Sequence, residues 1–164
     1  FARFMKDLNQ LYLEHSALWE KDYEADGFQW IDCHQEANCI YVFERNSKKE
    51  KIISLFNFSD HEQMYELKLP GVTSLKELLN SNLEIYGGTQ KNLNTAITLK
   101  NDRIILTLPP FSAVYYTPGG IKSQTCTAPP RYAMQKGEAF MPLLMPVLML
   151  WKADPGRKLV LDHI

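Results

Sequence analysis

Four carboxylates, Glu20, Asp22, Glu24 and Asp26, crowd the segment ALWEKDYEADGF. Glycosyl hydrolysis or transfer needs two carboxylates flanking one bond, about 5–10 Å apart. This group lies between a helical pattern and a strand pattern and closes on Asp26-Gly27, a turn signature. It therefore reads as a solvated connection. His15, His34, His61 and His163 show neither HxH nor HExxH spacing, so no zinc site is expected. Ser16, Ser59 and Ser112 lack the GxSxG elbow, and Gly87-Gly88 and Gly119-Gly120 fit neither GxxxxGK[ST] nor GxGxxG. The residues alone point to no catalytic group, no metal ligand and no cofactor. Aromatic rings are the remaining chemistry: Trp19, Phe28, Trp30, Tyr86, Tyr115 and Tyr116 would stack on sugar rings wherever they are exposed. Trp30 shares a strand face with Phe28 and is expected in the core. Tyr86 precedes a glycine pair in a polar loop, where a ring has fewer places to hide, and it is the ligand-stacking candidate.

The elements that would position these side chains follow from periodicity. Phe4, Leu8, Leu11 and Tyr12 share one face of a helix that runs to about His15. From Gly27 the period becomes two: FQWID, CIYVFER, KIISLFNF and MYELKLP follow one another, separated by the polar breaks HQEAN, NSKKE and SDHEQ. LKELLNS fits either a strand or a short helix, because Leu75, Leu78 and Leu79 also have helical spacing. The loop IYGGTQKNLN, a strand around TAITL, a hairpin at LKNDRI and the strands IILTL and FSAVYYT complete the pattern. Short strands at regular spacing predict an antiparallel β-sandwich or barrel, preceded by one amphipathic helix. FSAVYYT is the expected last strand and Pro118-Gly119-Gly120 the breakpoint, so a chain ending at Pro118 is expected to fold as well as the whole. Beyond it, MPLLMPVLMLW is too short to span a bilayer, which takes ~20 residues.

At 164 residues the chain can bury a core without disulfides or metal. Eighteen Lys and Arg against 19 Asp and Glu leave a net charge of −1, which argues against a nucleic-acid binder. Cys33, Cys39 and Cys126 are sparse and odd in number, which suits a reducing, cytoplasmic compartment; the alternative is a Cys33–Cys39 bridge across a hairpin. No secretory signal is visible in the first stretch, and the chain begins at Phe1 without an initiator Met, as the end of something longer would.

The order of segments says more than any single motif. FMKDLNQLYLEHSALWEKDYEADGFQWID, NFSDHEQMYELKLPG, ELLNSNLEIYGGT and LTLPPFSAVYYTP resemble, in this order, the carboxyl end of bacterial glycogen branching enzymes, members of the α-amylase superfamily. The resemblance covers about residues 1–118. It implies that residues 1–26 are the last helix and linker of a (β/α)8 barrel and that residues 27–118 are the all-β carboxyl-terminal domain. Residues 119–164 depart from the family pattern and are read as an unassigned, non-native or shifted-frame tail. The implied activity belongs to glycogen biosynthesis: an α-1,4 bond is cleaved through a covalent glycosyl-enzyme and the chain transferred to a 6-hydroxyl. The family's catalytic carboxylates lie upstream of Phe1, so none carries over, and the fragment is expected to support the barrel rather than catalyse. Implied partners are the missing barrel and α-glucan (glycogen, amylose), with Tyr86 the glucan-stacking candidate and no nucleic acid or membrane. The alternative is a stand-alone, non-catalytic carbohydrate-binding β-module. Without the barrel, Phe4, Leu8, Leu11 and Tyr12 are expected to be partly uncovered.

Overall fold

The third strand shows how the layers arise. KIISLFN places apolar residues on both of its faces, Ile53 and Leu55 on one and Ile52 and Phe56 on the other, and every residue from Ile52 to Asn57 is buried. A strand with one face in water alternates; one without alternation must be covered on both faces. The computed structural model, which describes residues 1–121, supplies both covers. Helix α1 (Ala2–Glu14) is followed by β1 (Phe28–Gln35), β2 (Ile40–Asn46), β3 (Lys51–Asn57), β4 (Gln63–Lys68), β5 (Val72–Asn80), β6 (Ile97–Thr98), β7 (Arg103–Leu108) and β8 (Ser112–Ile121). Six strands form one antiparallel sheet in the order β1-β2-β3-β8-β5-β6, and β4 pairs with β7 in a second.

Ile40, Val42, Leu55, Leu75 and Val114 meet Leu67, Leu106 and Leu108 of the two-stranded sheet in one core. On the opposite face, Phe43, Ile52, Phe56, Leu79 and Tyr115 meet Phe4, Leu8 and Leu11 of α1, with Ala17 and Leu18 of the 3-10 turn at Ser16–Leu18. The expectation of an uncovered helical stripe is thus corrected. Phe4, Leu8 and Leu11 are 6%, 3% and 6% exposed, and only Tyr12, at 37%, stands out. The physical reason is the second apolar face of the large sheet, which the small sheet cannot reach.

LKELLNS belongs to β5, not to a helix. A bulge between Glu77 and Leu79 interrupts its pairing with β8. Leu75 and Leu79 would share a face of a regular strand; across the bulge they enter opposite cores. That reversal is what gave the leucines their helical spacing. The last strand also runs further than expected, through Pro118 to Ile121, with Ser74 opposite Gly119 and Val72 opposite Ile121. Pro118 is tolerated because β3 pairs no further along β8 than Tyr116, which leaves that side of the strand open.

The connections are fixed by a few polar groups. Asn57, fully buried, donates from Nδ2 to the carbonyls of His61 (2.9 Å), Leu108 (3.1 Å) and Pro109 (2.9 Å). Its Oδ1 accepts from the backbone and hydroxyl of Ser59, so one amide ties the β3–β4 link to the β7–β8 link. Lys100 and Arg103 exchange backbone bonds around Asn101 and Asp102, both at positive φ, which is the two-residue hairpin expected at LKNDRI. No disulfide joins Cys33 and Cys39, while Cys126, His163, the apolar run 141–151 and the rest of 122–164 lie outside the described residues.

Candidate functional site

The acidic segment has cations to match it. Asp22 pairs with Arg45, which is 3% exposed and also donates to the carbonyl of Leu18 at 3.1 Å. Glu20 lies 4.0 Å from Lys48, and Lys21 serves both Glu24 and Asp26. The hydrogen bond from Lys21 holds the Asp26 carboxyl below the usual carboxylate range, and the same bond raises the Lys21 ammonium. The turn is closed at Gly27, where a Cβ would sit 1.9 Å from the Lys21 carbonyl.

A serine, a histidine and a glutamate do meet, but not as a relay. Glu50 accepts from His15 Nδ1 (3.0 Å) through one oxygen, and from Ser16 Oγ (3.1 Å) and the Ala17 amide (3.2 Å) through the other. A catalytic triad requires the hydroxyl to bond the imidazole, which removes its proton. Here the two groups bond the carboxylate side by side. The cluster fastens α1 and the turn after it to the β2–β3 hairpin. Burial opposes the Glu50 charge, but the bonds from His15, Ala17 and Ser16 outweigh it and draw the carboxyl below its ordinary range. Ser59 and Ser112 bond Asn57 Oδ1 and the Pro109 carbonyl. His34 Nε2 lies 3.8 Å from Cys33 Sγ, and His61 pairs with Asp60 at 2.8 Å. Among the described residues, no group of three or more His, Cys, Asp or Glu is placed to hold a metal, and no helix is long and apolar enough to cross a membrane.

Tyr86 ends the 3-10 turn Glu84–Tyr86, followed by Gly87 in the left-handed region at φ 92°. At Gly88 a Cβ would lie 2.1 Å from the Asn82 carbonyl, so both glycines are required by the loop's path. The loop folds back on β5 through Glu77, which sequence reasoning missed. This carboxylate is 3% exposed and accepts from the Asn94 amide (2.7 Å) and Gln90 Nε2 (2.8 Å). Its other oxygen faces Asn80 Nδ2 and the Tyr116 hydroxyl, both at 3.4 Å. A lone glutamate among the leucines of a strand was the available signal. The loop delivers Tyr86 to α1: its hydroxyl donates to Asp7 Oδ2 at 2.7 Å, and its ring meets Phe4 edge-on with centroids 5.1 Å apart.

Trp30 reverses its expectation. It is 41% exposed rather than core. It stands at the rim of an aromatic platform, edge-on to Phe28 (5.1 Å) and Phe43 (5.8 Å), with Tyr41 at 6.4 Å. Phe43 and Phe56 stack beneath at 5.5 Å, and Tyr115 is fully buried behind them. Trp30 sits on β1, which among the described residues is an edge strand with no neighbour beyond it. Trp19 is also exposed, Tyr86 is half-buried, and Tyr116 lies in the inner core.

Residues 30–119 match the model of the α-amylase C-terminal all-β domain. A 1,4-α-glucan branching enzyme, GlgB, of Mycolicibacterium paratuberculosis is 32% identical over 125 residues, 71% of this chain and 17% of that protein. GlgB of Hydrogenovibrio crunogenus is 36% identical over 118 residues, 67% of this chain and 16% of that protein. The chain therefore spans about a sixth of the length of these curated relatives. Among solved structures, the trehalulose synthase MutB from Pseudomonas mesoacidophila MX-45 is similar at 18% identity and a TM-score of 0.49, over 69% of this chain and 17% of that one. With the matched residues running from within β1 to within β8, the chain belongs to the family of α-amylase C-terminal all-β domains.

Proposed function

We propose that this chain is the carboxyl-terminal part of a 1,4-α-glucan branching enzyme, a cytoplasmic enzyme of glycogen biosynthesis, and that it supports the catalytic barrel and contacts glucan without carrying the chemistry. The observation that carries this reading is the reach of the similarity. The two branching-enzyme alignments extend over 125 and 118 residues, beyond the 30–119 span of the domain itself. The residues fit a supporting role: the segment carboxylates are matched to cations, and the Ser16-His15-Glu50 cluster binds elements together. The division into barrel helix and linker (1–26) and β-domain (from 27) belongs to the same proposal.

For glucan contact, Trp30 supersedes Tyr86 as the stacking residue. The Tyr86 hydroxyl is bonded to Asp7 and its ring is set against Phe4, whereas the Trp30 ring is exposed on a rigid platform. The genomic sequence upstream of Phe1 tests the first statement: an open frame encoding a barrel with its paired carboxylates supports it, and the absence of such a frame leaves the stand-alone carbohydrate-binding module. Electrophoresis through gels cast with glycogen tests the second. The chain is expected to be retarded and Trp30→Ala to run free of the effect; equal retardation of both removes Trp30 from the contact.

A further inference from the structure

The exposed ring at the rim of the large sheet has a neighbour. Phe43 of β2, Phe56 of β3 and Phe58 just beyond it form a stack, with centroids 5.5 Å and 5.9 Å apart and interplanar angles of 19° and 14°. Trp30 stands against the first ring of the stack at 5.8 Å and 86°, and Tyr41 against the last at 5.6 Å and 72°. The two leaning rings meet each other at 6.4 Å with their planes 55° apart. Trp30 is 41% exposed and Tyr41 half-buried, and neither belongs to the core that α1 covers. The backbone also keeps a carboxylate off this face. In a regular strand Asp32 would share the face of Trp30, beside Tyr41. A bulge between Trp30 and Asp32 sends it to the other side, where it accepts from the Tyr65 hydroxyl of β4 at 3.1 Å.

We propose that Trp30 and Tyr41 form a two-ring site for adjacent sugar units of an α-linked glucan, Trp30 holding one unit and Tyr41 the next. The inference rests on the reading of Trp30 as the glucan contact, and adds to it a second ring and a linkage preference. A pyranose offers the C–H groups of one face to an aromatic ring. Two consecutive units lie on two rings only where the linkage gives them the tilt of those rings. In a β-1,4 chain both bonds of each unit are equatorial, and the flat ribbon that results asks for coplanar rings. In an α-1,4 chain the link leaves through an axial bond, so each unit is turned against the last and the chain curls. Planes 55° apart suit the second chain and not the first. The angle is held, because each ring is braced by a different end of the phenylalanine stack.

Titration of the full chain with glucose, maltose and cellobiose, followed by NMR at the Trp30 indole N–H, tests the pair. Maltose is expected to bind roughly tenfold more tightly than glucose, the size of one further aromatic contact, and cellobiose no more tightly than glucose. Tyr41→Ala should bring maltose down to the glucose value. Tyr41→Leu, which keeps apolar bulk without a flat face, should do the same, whereas Tyr41→Phe should keep the step. Backbone amide spectra of β3 and β8 show that each variant is folded. Maltose binding unchanged in both Tyr41→Ala and Tyr41→Leu overturns the second ring and leaves Trp30 as a single-ring contact. Cellobiose binding as tightly as maltose overturns the linkage preference. No response to maltose overturns the two-ring site, and retardation in glycogen gels then decides separately whether Trp30 contacts glucan.

Discussion

Leu8 and Leu13 lie on the same helix, five residues apart, and differ almost only in burial: 3% against 70% exposed. Replacing each by alanine separates the packing of α1 from its helical propensity, since leucine and alanine are both good helix formers. Leu8→Ala removes three carbons from the core beside Phe4 and Leu11, a transfer loss of about 2.4 kcal/mol at ~0.8 kcal/mol per carbon. The cavity adds to this, because the sheet side is built of fixed rings and β-branched residues: Phe43, Ile52, Phe56 and Tyr115. The expected total is ~3–4 kcal/mol, within the range for buried leucines, and a large share of the ~5–15 kcal/mol a domain possesses. Leu13→Ala is expected to change stability by less than about 0.5 kcal/mol. Urea unfolding followed by far-ultraviolet circular dichroism reads both, with the slope checked so that a midpoint shift can be converted to free energy. Equal midpoints for the two variants would refute the packing of α1 on the sheet and restore the expectation that its stripe is uncovered in this chain.

Glu50 supplies a pH-dependent contribution whose sign is set. Its folded carboxyl titrates below the unfolded value, because bonds from His15, Ala17 and Ser16 outweigh the opposing effect of burial. The resulting stability is fully present above the unfolded value of about 4.3 and is lost as pH falls through the folded value. The advantage of the parent chain over Glu50→Gln should therefore be level above about pH 5 and shrink toward acid; urea midpoints that keep the same gap at pH 3 would contradict this. Gly88→Ala places a methyl against the Asn82 carbonyl and is expected to cost ~1–3 kcal/mol, read as a lowered thermal midpoint. A chain ending at Pro118 loses the pairings of Gly119 and Ile121 and the 2.8 Å bond from Thr73 Oγ1 to the Gly120 carbonyl. Its urea midpoint should fall below that of a chain ending at Ile121, and equality would return the boundary to Pro118.

Strand identity was legible wherever alternation survived. CIYVFER was read as a strand, and the two faces of β2 enter the two cores, Ile40 and Val42 in one and Phe43 in the other. β5 was ambiguous because a single bulge shifts Leu79 to the other face, and a bulge has no mark in the residue pattern beyond the blurred period. The position of Trp30 failed for a related reason. Alternation assigns it to the face of Phe28, correctly, but cannot show that β1 is an edge strand, where a core-facing ring stays in part open to water. Tyr86 failed in the opposite direction: the polar loop suggested a free ring, and its partners, Phe4 and Asp7, lie some eighty residues away in sequence. Contacts of that separation are set by how the loop is anchored, here by Glu77, and not by the residues around the tyrosine.

The same long-range contacts bear on where one unit ends and the next begins. By resemblance, α1 is the last helix of a barrel and the β-domain starts near Gly27. By packing, α1 is the cover of that domain's second face, rooted by Ala17, Leu18 and Glu50. The two descriptions are compatible if one helix serves two bodies. Its apolar stripe is already taken by the sheet, so on the proposed reading a barrel would meet the side that carries Leu13. On the proposed reading the angle between the bodies would follow from the β-domain, since the sheet and the Tyr86 loop set the helix axis. Support of the barrel, on this reading, is achieved by fixing one helix from a rigid aromatic and aliphatic face, and it requires no catalytic residue in the chain that provides it.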